Sequence, residues 1–143
     1  MSSVWPILHY DDPEAMVSFL ADVLGFRRQL VVRDDGGEII HAELSWPGGG
    51  VVNLGGTRHL GGVHGGMRPG TNAAYVITAD VDGICERVRR AGRGRVVHAA
   101  ADTTFAAGAI PARACTIADL EGNLWTFGTY AGATASAAAS AAR

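Results

Sequence analysis

The chain has 143 residues, 48% of them apolar, which is enough to form one domain or two small modules around a buried core. Its formal net charge of -2 provides no basic surface for phosphate groups, which argues against nucleic acid or an anionic membrane as a partner. All basic residues are Arg. The absence of Lys excludes a Lys Schiff base, a Lys general base and a phosphate-binding loop that ends in Gly-Lys.

No apolar run is long enough for a transmembrane helix, and the first residues, MSSVWPILHYDD, lack the features of a secretory signal. We therefore expect a cytoplasmic protein with no membrane partner. Cys85 and Cys115 are too few for a disulfide framework, and each lies in an apolar segment. Both are expected to be reduced thiols that pack in the core.

The first half of the chain predicts a strand, a helix and three further strands. An extended run at residues 4–10 precedes Asp12, which can cap a helix, and Pro13, which suits the first helical turn. Apolar residues recur at helical spacing from Met16 to Leu24, and Gly25 is a natural stop. The three strands are expected at residues 26–32, 39–46 and 51–54.

The same order of elements returns after a Gly-rich segment, which indicates an internal repeat. A strand is predicted at residues 73–78, followed by a helix that Asp80 caps and Gly92 ends. Three more strands are predicted at residues 96–97, 113–117 and 124–130. The expected organisation is a first module at 1–56, a Gly-rich linker at 57–71, a second module at 72–130 and an Ala/Ser-rich tail at 131–143.

Two motifs resemble the vicinal oxygen chelate superfamily, which includes glyoxalase I, extradiol dioxygenases, thiol-transferring fosfomycin resistance proteins and bleomycin-binding proteins. Residues 12–26 are similar to the family's first helix and its terminal leucine-glycine-aromatic signature. Residues 119–125 resemble its aspartate-proline-glutamate-glycine-asparagine hairpin, with Leu120 in place of the usual proline. The resemblance spans residues 4–130. It implies an α+β fold of two βαβββ modules whose curved mixed sheets surround a cleft, in a homodimer.

The resemblance also implies four metal-ligand positions, two in each module, which are commonly His or Glu in the enzymes. These positions fall on Trp5, Glu43, Ala73 and Thr126. Only Glu43 can bind an ion, whereas a catalytic metal needs about three protein donors, so we expect no metal and no other cofactor. One alternative stays open. His9, His41 and Glu43 alternate onto one face and could form a displaced site for a lyase, transferase or dioxygenase.

Without charged ligands, the cleft is better suited to flat, apolar molecules that stack on aromatic side chains. The predicted ligand-binding residues occupy inward-facing strand positions or the rim of the cleft: Trp5, Ile7, His9, His41, Glu43, Trp46, Tyr75, Leu124 and Thr126. Trp125 alternates to the other face and is expected in the core. The predicted function is non-catalytic binding of a bulky aromatic or peptide-like natural product, for antibiotic resistance, self-protection or biosynthetic escort.

Three questions stay open at this point. The protein could instead be an enzyme that works without metal through His and Glu acid–base chemistry, although no nucleophile, base and orienting residue form a recognisable triad. It could also be a regulatory subunit with a vestigial cleft. The linker, which carries His59 and His64, could close over a ligand or simply connect the two modules.

Overall fold

The computed structural model describes residues 2–58 and 62–132, and it divides the chain into two compact units. The first unit comprises Met1–Asn72 with Asp119–Asn123, and the second comprises Ala73–Ala118 with Leu124–Arg143. Each unit holds a four-stranded mixed sheet and one helical segment, which confirms the predicted α+β fold of two βαβββ modules. His59 and most of the predicted tail lie outside the described residues. Within those residues, no helix is long and apolar enough to cross a membrane.

The first unit follows the predicted order of elements. They are β1 (Ile7–Tyr10), α1 (Pro13–Ser18) with a π-helical continuation (Phe19–Leu24), β2 (Arg27–Arg33), β3 (Ile39–Ser45) and β4 (Val51–Gly56). The sheet order is β1-β4-β3-β2, with β1 and β4 parallel and the other neighbours antiparallel. The first strand is shorter than the predicted 4–10, because Pro6 has no N–H to donate to a neighbouring strand.

The first helix begins and ends where the sequence predicts. Asp12 Oδ1 accepts a hydrogen bond from the Ala15 N–H at 3.1 Å, and Pro13 occupies the first turn. Gly25 ends the segment with a φ of 97°, a left-handed conformation that favours glycine. The π-helical geometry of Phe19–Leu24 is a finding that the apolar spacing does not predict.

One face of the first sheet is buried beneath this helical segment. The buried strand residues alternate along each strand: Leu8, Tyr10, Ala42, Leu44, Val52 and Leu54. They meet the buried residues of the helical segment, which are Met16, Val17, Phe19, Leu20, Val23 and Leu24. Burial of these apolar side chains is the main stabilising contribution to the unit. The opposite face of the sheet, where the intervening residues lie, has no helix over it within the unit.

The second unit repeats the pattern. Its elements are β5 (Ala73–Ile77), α2 (Val81–Ala91), β6 (Arg95–Phe105), β7 (Ile110–Ala118) and β8 (Leu124–Gly128), with the sheet order β5-β8-β7-β6. Asp80 accepts from the Gly83 N–H at 3.1 Å to cap α2. Trp125 is only 1% exposed, which confirms that it lies in the core.

Both cysteines belong to the core of the second unit, as predicted. Cys85 and Cys115 are free thiols and both are buried. Burial, and then the neighbouring Cys85, raise the pKa of Cys115 to about 12. A thiol with such a pKa is almost fully protonated near neutral pH, so it packs as a small apolar group.

Strands β6 and β7 correct the sequence prediction. The expected strand at 96–97 extends over Arg95–Phe105, and the strand expected to begin at Arg113 begins at Ile110. The two pair as far as Phe105 and Ile110, beyond the last β7–β8 pair at Ala114. They therefore form a two-stranded ribbon that continues past the sheet. The Ala- and Thr-rich sequence of this ribbon has no apolar alternation, so its pattern does not predict a strand.

The hairpin Asp119–Asn123 belongs to the first unit although it lies far along the chain. The buried Asp119 accepts a hydrogen bond from the Tyr10 hydroxyl at 2.7 Å, and Glu121 accepts from the N–H groups of Asp11 and Asp12 at 2.7 and 3.0 Å. Burial and the adjacent Asp119 raise the pKa of Tyr10, which keeps the hydroxyl protonated as a donor. The hairpin therefore holds the connection between β1 and α1 in place through hydrogen bonds.

Candidate functional site

The open face of the first sheet carries a row of side chains that crosses all four strands. The pairing register places Ile7 beside Asn53, Asn53 beside Glu43, and Glu43 beside Leu30. Side chains paired in this way lie about 5 Å apart on the same face. The row therefore has apolar side chains at its ends and polar ones in its centre.

The burial of these side chains differs along the row. Ile7 and Leu30 are each 45% exposed. The Glu43 side chain is 26% exposed, and its Oε1 lies 3.1 Å from His41 Nε2. Ile7, His41 and Glu43 are thus brought to one face as predicted from strand alternation.

His9 lies two residues after Ile7 in β1, so its side chain is on the same face of the sheet. Its ring stacks on that of His64, with 5.3 Å between centroids and 28° between the ring planes. Burial, and then the charge of His64, lower the pKa of His9, which favours the neutral imidazole near pH 7. This contact also brings one residue of the Gly-rich linker to the predicted site.

The two tryptophans predicted for the site do not lie in strands. Trp5 precedes β1, is 42% exposed and donates a hydrogen bond from Nε1 to the Ser2 carbonyl at 3.1 Å. Trp46 follows β3, and its ring centroid is 5.0 Å from that of the buried Phe26. Trp46 is therefore partly engaged in packing, while the Trp5 side chain is partly exposed.

The open face of the second sheet carries a corresponding row. Tyr75 pairs with Thr126, Thr126 with Thr116, and Thr116 with His98. The hydroxyls of Thr116 and Thr126 are hydrogen-bonded at 2.8 Å. Tyr75 and Leu124 are 40% and 39% exposed.

Aromatic side chains surround Tyr75 at the end of this row. The ring of Phe105 approaches Tyr75 edge-on, with 6.0 Å between centroids, and stacks on Tyr130 at 4.6 Å. The Tyr75 hydroxyl donates to the Tyr130 carbonyl at 2.8 Å. Burial raises the pKa of Tyr75, so its hydroxyl stays protonated. Phe105, from the end of β6, therefore fixes the orientation of a predicted site residue.

Sequence reasoning did not select Asn53 and Thr116. Asn53 is a polar residue between Val52 and Leu54, and the two-residue period of the strand could have placed it on the face of Glu43. Thr116 follows the buried Cys115 in the same way. The register adds that Glu43 pairs with Asn53, just as Thr116 pairs with Thr126.

Two cavities have none of the predicted ligand-binding residues in their lining, although Thr116 and Phe105 of the larger one contact Thr126 and Tyr75. One of about 270 Å³ in the second unit is lined by His98, Ala99, Ala101, Asp102, Thr103, Phe105, Ala114, Cys115 and Thr116. Another of about 150 Å³ in the first unit is lined by Asp11, Asp12, Pro13, Glu14, Gly37, Glu38, Ile39, Gly56 and Arg58. In the lining of the second cavity, Glu14 is ion-paired with Arg33, and Glu38 is ion-paired with Arg58.

The four positions that hold the metal in enzymes of the resembled family do not fit a catalytic metal ion in this chain. Trp5 and Ala73 have no metal-binding atom, and Thr126 has only a hydroxyl that is hydrogen-bonded to Thr116. Across residues 2–58 and 62–132, no three His, Cys, Asp or Glu side chains are grouped to share an ion. His41 and Glu43 are adjacent, but His9 does not complete a three-ligand group with them.

Comparisons with known proteins agree with this architecture. A family model described as the Glyoxalase/Bleomycin resistance protein/Dioxygenase superfamily matches residues 4–127. TioX from Micromonospora sp. ML1 is 31% identical, with a TM-score of 0.73, and the match covers 92% of this chain and 100% of TioX. No curated protein matches the chain.

More distant solved structures share the fold. TnmS3, an antibiotic binding protein from Streptomyces sp. CB03234, is 20% identical with a TM-score of 0.65, and the match covers 89% of this chain and 94% of TnmS3. The virulence protein STM3117 from Salmonella typhimurium is 21% identical with a TM-score of 0.67, and the match covers 92% of this chain and 98% of that protein.

Proposed function

The chain belongs to the glyoxalase/bleomycin resistance protein/dioxygenase superfamily, and from that membership we propose that it binds a bulky aromatic or peptide-like natural product without converting it. The observation that carries the proposal is the exposure of large apolar side chains on the open face of each sheet, around a few polar groups. Small-molecule sites have this composition. TnmS3, which has the same fold and is described as an antibiotic binding protein, supports an antibiotic as the ligand.

Trp5 is the residue we propose as the main stacking surface. Its indole is 42% exposed, and a single hydrogen bond to the Ser2 carbonyl orients it. A large rigid ring gives contact area at a low cost in side-chain entropy. The proposed roles are self-protection against an antibiotic or escort of a biosynthetic intermediate, in a cytoplasmic homodimer.

Isothermal titration of the full chain with doxorubicin, a planar antibiotic, and with bleomycin tests the proposal. We expect saturable binding of at least one compound and its recovery unchanged after release by denaturation. Absence of binding to both, together with turnover of a small substrate, would contradict the proposal. Elemental analysis of protein purified without a chelator tests the metal-dependent enzyme alternative, which requires stoichiometric Zn, Fe, Mn or Ni.

Replacement of Trp5 by Ala should weaken the binding of the compound found in that titration by about 1–3 kcal/mol, because the aromatic stacking surface is lost. Val4→Ala is the matched control, since Val4 is the neighbouring residue and is 84% exposed. We expect the control to bind like the unmodified chain. Undiminished affinity of Trp5→Ala would remove this residue from the site.

A further inference from the structure

On the open face of the first sheet, two polar atoms are shielded from solvent and have no hydrogen-bond partner in the described part of the chain. They are His9 Nδ1 and Asn53 Oδ1. Both side chains lie on the open face of the sheet, because Leu8, Tyr10, Val52 and Leu54, their neighbours along the strands, face the helical segment. Buried polar atoms are nearly always paired in folded proteins, so unpaired ones on a ligand-binding face indicate a missing partner.

Glu43 adds a negative charge beside Asn53. The two residues are direct partners in the β3–β4 register, so their side chains are neighbours on the face. Among the described residues, the hydrogen-bond partner of the Glu43 carboxylate is His41, whose Nε2 lies 3.1 Å from Glu43 Oε1. The ion pairs of the described Arg residues involve other carboxylates, so no Arg neutralises Glu43 there.

His9, Asn53 and Glu43 together form a site that is suited to a hydrogen-bond donor. The Asn53 amide oxygen and the Glu43 carboxylate only accept hydrogen bonds, and His9 Nδ1 also accepts when its proton is on Nε2. Ile7 and Leu30 lie on either side of the polar pair and offer apolar contact. A ligand that suits this row has a cationic N–H group set in an otherwise apolar, flat frame.

We infer that the ligand of the open face of the first sheet carries a protonated nitrogen, which donates hydrogen bonds to the Glu43 carboxylate and to Asn53 Oδ1. The inference rests on the proposed binding function and specifies the chemical class of its ligand. It also predicts that anionic aromatic compounds are rejected, since their charge would face Glu43 without a counterion.

Three acridines with the same ring frame test the inference near neutral pH: 9-aminoacridine, which is a cation with N–H donors, acridine, which is neutral, and acridine-9-carboxylate, which is an anion. Titration of the full chain should give the tightest binding for 9-aminoacridine, by about tenfold over acridine, and the weakest for the carboxylate. Added salt should reduce the preference for the cation.

Two variants identify the groups responsible. Glu43→Gln should reduce the preference for 9-aminoacridine over acridine by about tenfold, because the charge is removed while the shape is kept. Asn53→Leu should reduce it less, because a neutral acceptor is lost. Glu86→Gln makes the same change in net charge on the exposed surface of α2 and should leave the preference unchanged. Circular dichroism of each variant establishes that it is folded.

The outcomes separate this inference from the proposed function. Equal binding of the three acridines, or a preference for the cation that survives Glu43→Gln, overturns the inference while the binding function stands. Failure of all three acridines, of doxorubicin and of bleomycin to bind overturns both. Selective loss of the cation preference in Glu43→Gln, but not in Glu86→Gln, supports the inference.

Discussion

Asp119 is the buried carboxylate on which the first unit depends most directly. Its Oδ2 accepts from the Tyr10 hydroxyl, and its Oδ1 accepts from the N–H groups of Glu121 and Asn123 at 3.0 and 3.1 Å. A buried charge is tolerated only when such partners satisfy it. The residue that the family resemblance assigns to a hairpin signature thus has a structural role.

Removing the Tyr10 hydroxyl by Tyr10→Phe should lower the free energy of unfolding by about 1–3 kcal/mol, because Asp119 Oδ2 loses its buried donor. Urea unfolding measures this change. Asp119→Ala should lower it further, since three hydrogen bonds are lost at once. The exposed variant Glu86→Gln should stay within about 0.5 kcal/mol of the unmodified chain. A Tyr10→Phe protein as stable as this control would show that the hydrogen bond contributes little.

His9 should make the stability of the chain depend on pH. Its folded pKa is lowered from the ordinary value of 6.5, so the unfolded chain binds a proton at His9 at a higher pH than the folded chain does. The unfolded state therefore binds more protons as pH falls through 6.5, and the contribution of His9 to stability decreases there. His9→Gln should lessen the decrease in urea midpoint over this range.

Nuclear magnetic resonance titration of the His9 ring provides the direct measurement. Replacement of His64 by Ala should raise the pKa of His9 part of the way towards 6.5, because the second cause of the shift is removed. A pKa of His9 at or above 6.5 in the unmodified chain is incompatible with this account.

At the scale of elements, the ribbon formed by β6 and β7 ends in a strained turn. Ala106 and Ala107 both have a φ of 53°, a left-handed conformation that is unfavourable for residues with a side chain. Ala107→Gly should therefore raise the free energy of unfolding by about 0.5–1 kcal/mol. Ala112→Gly, within β7, should lower it by a similar amount. Thermal unfolding measures both changes. Stabilisation by Ala107→Gly with destabilisation by Ala112→Gly indicates relief of backbone strain, whereas destabilisation by both indicates only the general effect of glycine.

The sequence predicts the helices and most strands because their signals are local. Asp12, Gly25, Asp80 and Gly92 mark the helix ends, and the apolar period marks the buried faces. The ribbon is missed because alanine and threonine at its positions are exposed on both sides and leave no period. The role of Asn53 in the candidate site is not predicted, because it depends on the neighbouring Glu43. Only the pairing register of β3 and β4 shows that the two residues are neighbours.

At the scale of the whole molecule, the described part of the chain holds two sheets, and the face of each that no helix of its unit covers carries partly exposed apolar surface, which includes Ile7, Leu30, Tyr75 and Leu124. The expected homodimer would cover part of it. Light scattering after size-exclusion chromatography should give about twice the chain mass of 14.8 kDa. A mass equal to one chain at all concentrations tested would exclude the homodimer.

The assignment of Asp119–Asn123 to the first unit has a consequence for biosynthesis. A ribosome synthesises residues 1–72 long before these five, so the nascent first unit lacks the acceptors for Tyr10 and for the N–H groups of Asp11 and Asp12. It can complete these contacts only after most of the second unit has also been translated. The first unit therefore reaches its full set of hydrogen bonds only after residues 119–123 have been synthesised.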